Sequence, residues 1–253
     1  MGGHTVIKKN SRTRHIVPNF SPNNFARYNP MGFSPLQYDV ITWYRGDSVV
    51  KDGGNNISQV NDLSGNGIHA VPSTSLKYPL WVDAVLNGKP TIRFAGNANL
   101  IANFGATYTH PYTIFIVWKS TNINTNSYVV FDGIEASKRA VLYTYLGFVP
   151  FSGLTTEIKY AKSVPFANFI ISSVIGNGAS SKLYEDGLLK VTGSSTVGSL
   201  SGLIIGDAYN FTNAYSGDIA EIIPINGLLS ALDHNKFLSY LGRQYNISTT
   251  PVL

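Results

Sequence analysis

Short β-rich runs separated by Gly-containing reversals constrain this chain more than any other feature. The pairs Gly53-Gly54, Asn66-Gly67, Asn87-Gly88, Asp132-Gly133, Asn177-Gly178, Asp186-Gly187 and Asn226-Gly227 recur between residues 40 and 228. Asn and Asp tolerate positive φ and Gly takes it freely, so each pair is a place where an extended chain can reverse. Between them lie runs rich in β-branched and aromatic residues, at 90–94, 112–119, 128–131, 140–146, 169–174, 182–185, 203–205 and 218–225. Evenly spaced short strands with such turns predict two packed antiparallel sheets rather than βαβ units. One segment departs from this pattern. Ser230 suits an N-cap with Asp233 three residues on, and His234, Phe237, Leu238 and Leu241 follow i, i+3, i+4, i+7 spacing, extended by Tyr245. The spacing predicts one amphipathic helix over Ala231–Tyr245, with Gly242 weakening its end and His234 packed in its apolar face.

Charge divides the chain in two. Residues 1–38 carry Lys8, Lys9, Arg12, Arg14 and Arg27 and no acid, which equals the net +5 of the whole chain. Residues 39–253 are therefore neutral, and the basic character belongs to an arm rather than to a nucleic-acid-binding face. Pro18, Pro22, Pro30 and Pro35 exclude a helix from residues 1–38, while Phe20, Phe25, Tyr28 and Phe33 give the segment something to pack with. The expectation is an extended, anchoring arm over 1–38 followed by one domain over 39–253. Charged residues are only 13% of the chain, about half the usual share, so the surface is built largely from Asn, Ser, Thr, Gly and Tyr. There is no cysteine, which excludes disulfides, thiol nucleophiles and Cys-based zinc sites and leans towards a reducing compartment. No apolar run resembles a secretory leader or approaches the roughly 18 residues of a membrane span.

Five motifs in fixed order carry a family resemblance. They are Asp62-Leu63-Ser64-Gly65-Asn66-Gly67-Ile68-His69-Ala70 with Asn61 before it, Gly88-Lys89-Pro90-Thr91-Ile92-Arg93-Phe94, Thr113-Ile114-Phe115-Ile116-Val117-Trp118-Lys119, Leu183-Tyr184-Glu185-Asp186-Gly187, and Gly217-Asp218-Ile219-Ala220-Glu221-Ile222-Ile223. With Trp43 and Asp47 ahead of them and Tyr240 to Ile247 behind, the series resembles the laminin-G-like branch of the concanavalin A-like lectin/glucanase superfamily, over roughly residues 40–247. The chain departs from that pattern at Val60, where a Trp is usual, and at Ala95, where an acid is usual. The resemblance implies an all-β, two-sheet antiparallel jelly-roll sandwich closed by a C-terminal helix. It also implies a module that binds, displays or decorates, as in phage virion proteins. Asp62 is expected to organise its turn by accepting backbone N–H bonds, rather than to ligate a metal.

Catalytic chemistry is not written into the chain. The superfamily's glucanases place paired carboxylates on one strand as Glu-x-Asp-x-Glu, because alternate residues share a face. No such triplet occurs, and Asp218 and Glu221, three apart, fall on opposite faces of a regular strand. His4, His15, His69, His110 and His234 are scattered, without zinc-motif spacing. No cofactor is expected, although calcium is common among relatives of this fold, and Asp132, Asp207 and Asn210 are loop candidates for it. Glycan contact needs exposed rings beside amides. The uncharged stretch 121–127, with Asn122, Asn124 and Asn126, is expected as an exposed tip, joined by Tyr209 and Asn210. Tyr78, Trp81, Tyr108, His110, Tyr112 and Tyr215 are further loop candidates. The expectation is a non-enzymatic virion protein of a phage head or tail, assembled in the host cytoplasm and present in many copies. Lys8, Lys9, Arg12, Arg14, Phe20, Phe25 and Arg27 would attach it to other virion proteins, and its outer loops would meet host-surface polysaccharide. The alternatives are a free-standing lectin-like module and, third, a glycoside hydrolase.

Overall fold

The computed structural model describes residues 32–122, 126–163, 165–166, 168–196 and 198–253. The arm residues Lys8, Lys9, Arg12, Arg14, Phe20, Phe25 and Arg27, and the loop residue Asn124, lie outside these. In chain order the strands are β1 (Tyr44–Arg45), β2 (Val49–Lys51), β3 (Ile57–Val60), β4 (Leu80–Leu86), β5 (Lys89–Ala95), β6 (Leu100–Tyr108), β7 (Tyr112–Ser120) and β8 (Tyr128–Gly133). They continue with β9 (Val141–Thr144), β10 (Phe148–Ser152), β11 (Glu157–Ala161), β12 (Ile170–Gly176), β13 (Ser181–Glu185), β14 (Leu188–Gly193), β15 (Leu200–Ile205) and β16 (Ser216–Asn226). The helix α1 spans Ala231–Tyr245, the range its apolar spacing predicts.

Two antiparallel sheets face each other in a jelly-roll sandwich. The larger runs β14-β13-β12-β7-β16-β5-β4, with β1 also on β16, and the smaller runs β11-β10-β9-β8-β15-β6. β2 and β3 form a separate ribbon. The central strand β7 is a nearly continuous apolar run because both of its faces are buried. Ile114, Ile116 and Trp118 enter the core between the sheets, while Phe115 and Val117 face α1. On that outer face Phe237, Leu238, Leu241 and Tyr245 of α1 meet Phe115, Ile171, Ala220 and Ile223, and the Phe115 and Phe237 rings stack at 4.8 Å. Each such fully buried side chain contributes about 1.5–3 kcal/mol, so the helix is held by its face rather than by propensity.

Local chemistry behaves as its residues dictate at several points. Ser230 Oγ accepts from the Asp233 N–H at 3.1 Å, and Asn246 closes the helix in the left-handed region. Asp62 accepts from the N–H groups of Trp43, Ser64 and Ile68 and from Ser64 Oγ, which binds its turn to the strand before it. Asn87-Gly88 and Asp186-Gly187 turn the β4–β5 and β13–β14 hairpins with positive φ at both residues.

Two expectations are corrected. Asp132-Gly133 is not a reversal but the end of β8, paired with Ile204 and Leu203. Glycine is needed at 133 because a Cβ there would strike the Lys138 backbone. The run 140–146 is not one strand: Leu146 and Gly147, both at positive φ, turn it into the β9–β10 hairpin. The described end of the arm, residues 32–38, packs on the domain. Phe33 is buried at 5.1 Å from the Phe237 ring, and Tyr38 donates to Asp233 at 2.8 Å.

His234 shows how tightly α1 is seated. Its Nε2 meets Ser173 Oγ at 3.0 Å, its ring packs edge-on against Phe115 and Tyr184, and Lys182 is the charged group acting on it. Burial, with a smaller push from Lys182, lowers its pKa from 6.5 to about 4. A base depressed on folding contributes stability that is complete above the unfolded pKa and is lost as pH falls towards the folded one. Between pH 7 and pH 5 this contribution falls by about 2 kcal/mol, while Asp186, whose carboxyl burial raises to about 6, acts in the opposite direction. Denaturant unfolding of the wild type and His234→Gln at both pH values checks it, since the stability difference between them should change by about 2 kcal/mol.

Candidate functional site

Three connections cross between the sheets at one end of the sandwich: β5 to β6, β7 to β8 and β15 to β16. Gly96, residues 126–128 and residues 211–214, together with Lys77, line a groove of about 550 Å³. Its walls include Asn126, Tyr128, Phe211, Thr212 and Asn213, and no Asp or Glu stands among the described residues that line it.

The β15–β16 loop, residues 206–215, shapes this groove and is held at many points. Gly206 N–H donates to Val130 O, and Tyr215 N–H donates to Gly206 O. Asp207, fully buried, accepts from the N–H groups of Ala208 and Asn213 through Oδ1. Asp132 on β8, also fully buried, accepts the Tyr209 N–H at 3.0 Å and the Gly133 N–H at 2.7 Å, and pairs with Arg139 at 2.6 Å. The Arg139 guanidinium in turn lies 4.6 Å above the Tyr209 ring. These anchors force Phe211 to φ +58 while leaving it 44% exposed. A bulky residue at positive φ is an outlier that costs of order 1–3 kcal/mol, and such strain gathers at functional sites. Composition offers no signal for this, because Phe is a poor choice for such a position. Only the exposed ring and its strained backbone, seen together, single Phe211 out.

The predicted glycan residues do not all gather here. Asn126 is exposed on the groove wall, and Tyr209 and Asn210 lie in the shaping loop, where Asn210 Oδ1 accepts from Thr212 Oγ1. Asn122 is not on an exposed tip. It is 6% exposed, and its Oδ1 accepts the Ser216 N–H at 3.0 Å, so it fastens β16 to the end of β7. Tyr112 and Tyr215 are fully buried core rings. Trp81 is half-buried, with its indole N–H donating to Gly46 O, while Tyr108 packs on Phe104. Tyr78 and His110 are exposed but do not line the groove.

The acids are committed to the fold. A bulge at Ala220 interrupts the pairing of β16 with β7, so Asp218 and Glu221 share the outer face rather than opposite faces. Arg93 grips Asp218 with two bonds of 2.7 and 3.0 Å. Glu221 is 1% exposed and accepts from Trp43 Nε1, Tyr240 Oη and Tyr245 Oη, under α1. Burial raises its carboxyl above the usual range, against the pull of Arg45 and those donors. Glu185 takes Tyr160 and Lys162, and Asp186 accepts the Ile171 N–H, with its pKa pushed up to about 6 by burial. Among the described residues no three His, Cys, Asp or Glu side chains assemble a metal site, and the calcium candidates Asp132 and Asp207 are taken up by Arg139 and backbone N–H groups. No helix among the described residues is long and apolar enough to cross a membrane.

An antiparallel two-sheet sandwich with a groove at one end of the sheets is a jelly-roll architecture. The solved structures this chain is similar to share that architecture. Domain 4 of AbnA, a GH43 extracellular arabinanase from Geobacillus stearothermophilus solved with arabinotriose, matches with TM-score 0.58 at 13% identity, over 79% of this chain and 98% of that one. The botulinum neurotoxin serotype G binding domain matches with TM-score 0.58 at 13% identity, over 80% of this chain. The serotype D ligand-binding domain in complex with N-acetylneuraminic acid matches with TM-score 0.58 at 13% identity, over 83% of this chain. The chain spans about half the length of these neurotoxin domains, 51% and 53%. No family model and no curated protein matches the sequence. At such identity the likeness establishes the fold, an all-β jelly-roll sandwich with one C-terminal helix.

Proposed function

We propose that this domain is a non-enzymatic carbohydrate-binding module that takes a saccharide in the groove beside Phe211. The observation that carries this reading is the exposed Phe211 ring, held at strained φ by a buried network, facing a carboxylate-free groove. An aromatic ring stacks on the apolar face of a sugar, and the amides and hydroxyls of Asn126, Thr212 and Asn213 suit its hydroxyl groups. The solved complexes of similar architecture with arabinotriose and N-acetylneuraminic acid support the same ligand class. Calorimetry against a panel of oligosaccharides tests it. Phe211→Ala is expected to weaken binding at least about 10-fold, from the lost burial of one aromatic ring. Phe211→Gly should lose binding equally yet be no less stable, because glycine relieves the positive φ. Wild-type affinity in Phe211→Ala would overturn the reading.

The proposed setting is a phage virion, in the head or tail, with the module in many copies and host-surface polysaccharide as its target. Its support is the segregation of the net +5 into the arm, and the seating of residues 33–38 on α1, which gives that arm a fixed root. An interface built on exposed charge should weaken with salt. Deleting residues 1–31 is expected to abolish particle association and leave saccharide binding intact. If the truncated chain still incorporates into particles, the arm is not the anchor, and if the full chain never associates with particles, the free-standing module is the better reading.

A further inference from the structure

We infer that the saccharide held in this groove carries a carboxylate, and that Lys77 is the residue that selects it. The inference rests on the groove being the binding site. Arg45, Arg93, Lys138, Arg139, Lys159, Lys162 and Lys236 are all neutralised by a carboxylate within 3.0 Å. Lys77 is different. Its side chain has no ion pair or hydrogen bond among the described residues, yet its backbone is fixed on both sides, by Thr74 O and by the Asn99 N–H. It is therefore a placed but uncompensated cation on the wall of a groove whose described lining holds no acid.

The rest of the lining has a different chemistry. Phe211 offers an apolar surface, and Asn126, Thr212 and Asn213 offer neutral donors and acceptors. A pyranose bearing a carboxylate matches this division, with its ring face on Phe211 and its anion at the ammonium. A neutral sugar would satisfy the ring and the amides but leave the ammonium with water alone. A partly exposed pair of this kind gives selectivity more than affinity, and salt screens it.

The test compares matched pairs: tetragalacturonate against galactotetraose, and 3′-sialyllactose against its methyl ester. The pairs share a carboxylate as their difference and separate uronic from sialic acids. Calorimetry at low ionic strength is expected to show the acidic member of one pair binding roughly 3- to 10-fold tighter. Half-molar salt should shrink that preference. Lys77→Met should bring the two members of the pair level, Lys77→Arg should restore the preference, and both variants should melt with the wild type. Equal binding of acidic and neutral members, or a preference that survives Lys77→Met, overturns the inference. In either case the loss of binding in Phe211→Ala would leave the groove itself standing. If none of the four sugars binds the wild type, the groove reading falls and this inference with it.

Discussion

Glu221→Ala is expected to destabilise the fold by about 3–5 kcal/mol. Three donors converge on this carboxylate: Trp43 Nε1 at 2.6 Å, Tyr245 Oη at 2.7 Å and Tyr240 Oη at 2.9 Å. They come from two separate places, the segment entering β1 and the last turns of α1. Glu221 therefore ties the helix and the chain's entry strand to β16. Removing it strands the Trp43 and Tyr240 hydrogens and leaves Tyr245 only the Ala220 carbonyl at 3.3 Å, in a layer where Trp43 and Tyr245 are each 1% exposed, and water cannot replace the lost acceptor without opening the helix contact. Glu221→Gln keeps one acceptor oxygen and should lose less, about 1–2 kcal/mol. Denaturant unfolding followed by far-UV and near-UV signals checks both. A Glu221→Ala variant within 1 kcal/mol of the wild type would show that the network contributes little.

Asp132→Ala is expected to damage stability and binding together. Its carboxylate is fully buried, faces the Arg139 guanidinium and holds the Tyr209 N–H at the base of the groove-shaping loop. Breaking a buried pair by removing one partner typically costs 3–5 kcal/mol. Arg139 keeps 24% side-chain exposure, and water recovers part of that, so about 3 kcal/mol is the expected loss. Freed of its anchor, the loop no longer needs to hold Phe211 at positive φ, and saccharide affinity should fall about 10-fold, as a contact preorganised by strain is released. Thermal melts beside calorimetry separate this from Phe211→Ala, which should lose binding with stability nearly unchanged. If Asp132→Ala melts lower but binds as the wild type does, the loop is not preorganised through Asp132.

Much of this architecture is legible in the residues because the interactions that make it are local. Ser230 and Asp233 cap α1 within one turn. Asn87-Gly88 and Asp186-Gly187 adopt positive φ within two residues, and Asp62 closes a turn on Ser64 and Ile68. The runs that become β5, β7, β12 and β16 are dense in β-branched and aromatic residues because each buries at least one face. β6, interrupted by Asn103 and Gly105, and β10, interrupted by Pro150, carry a broken signal and are held as strands by their neighbours.

The site depended on contacts between distant parts of the chain. The Ala220 bulge moves Glu221 onto the face that α1 covers, and nothing within three residues announces it. Asn122, read as an exposed amide, is buried because Ser216, 94 residues away, has a backbone N–H for it to accept. Phe211 looks like an ordinary core residue until Asp132, Asp207 and Gly206 leave it strained and exposed. Local pattern determines which segments extend, turn or coil, because those choices are settled by dihedral preferences and burial period. Which polar groups are free to meet a ligand is decided only when every donor and acceptor has found its partner across the fold.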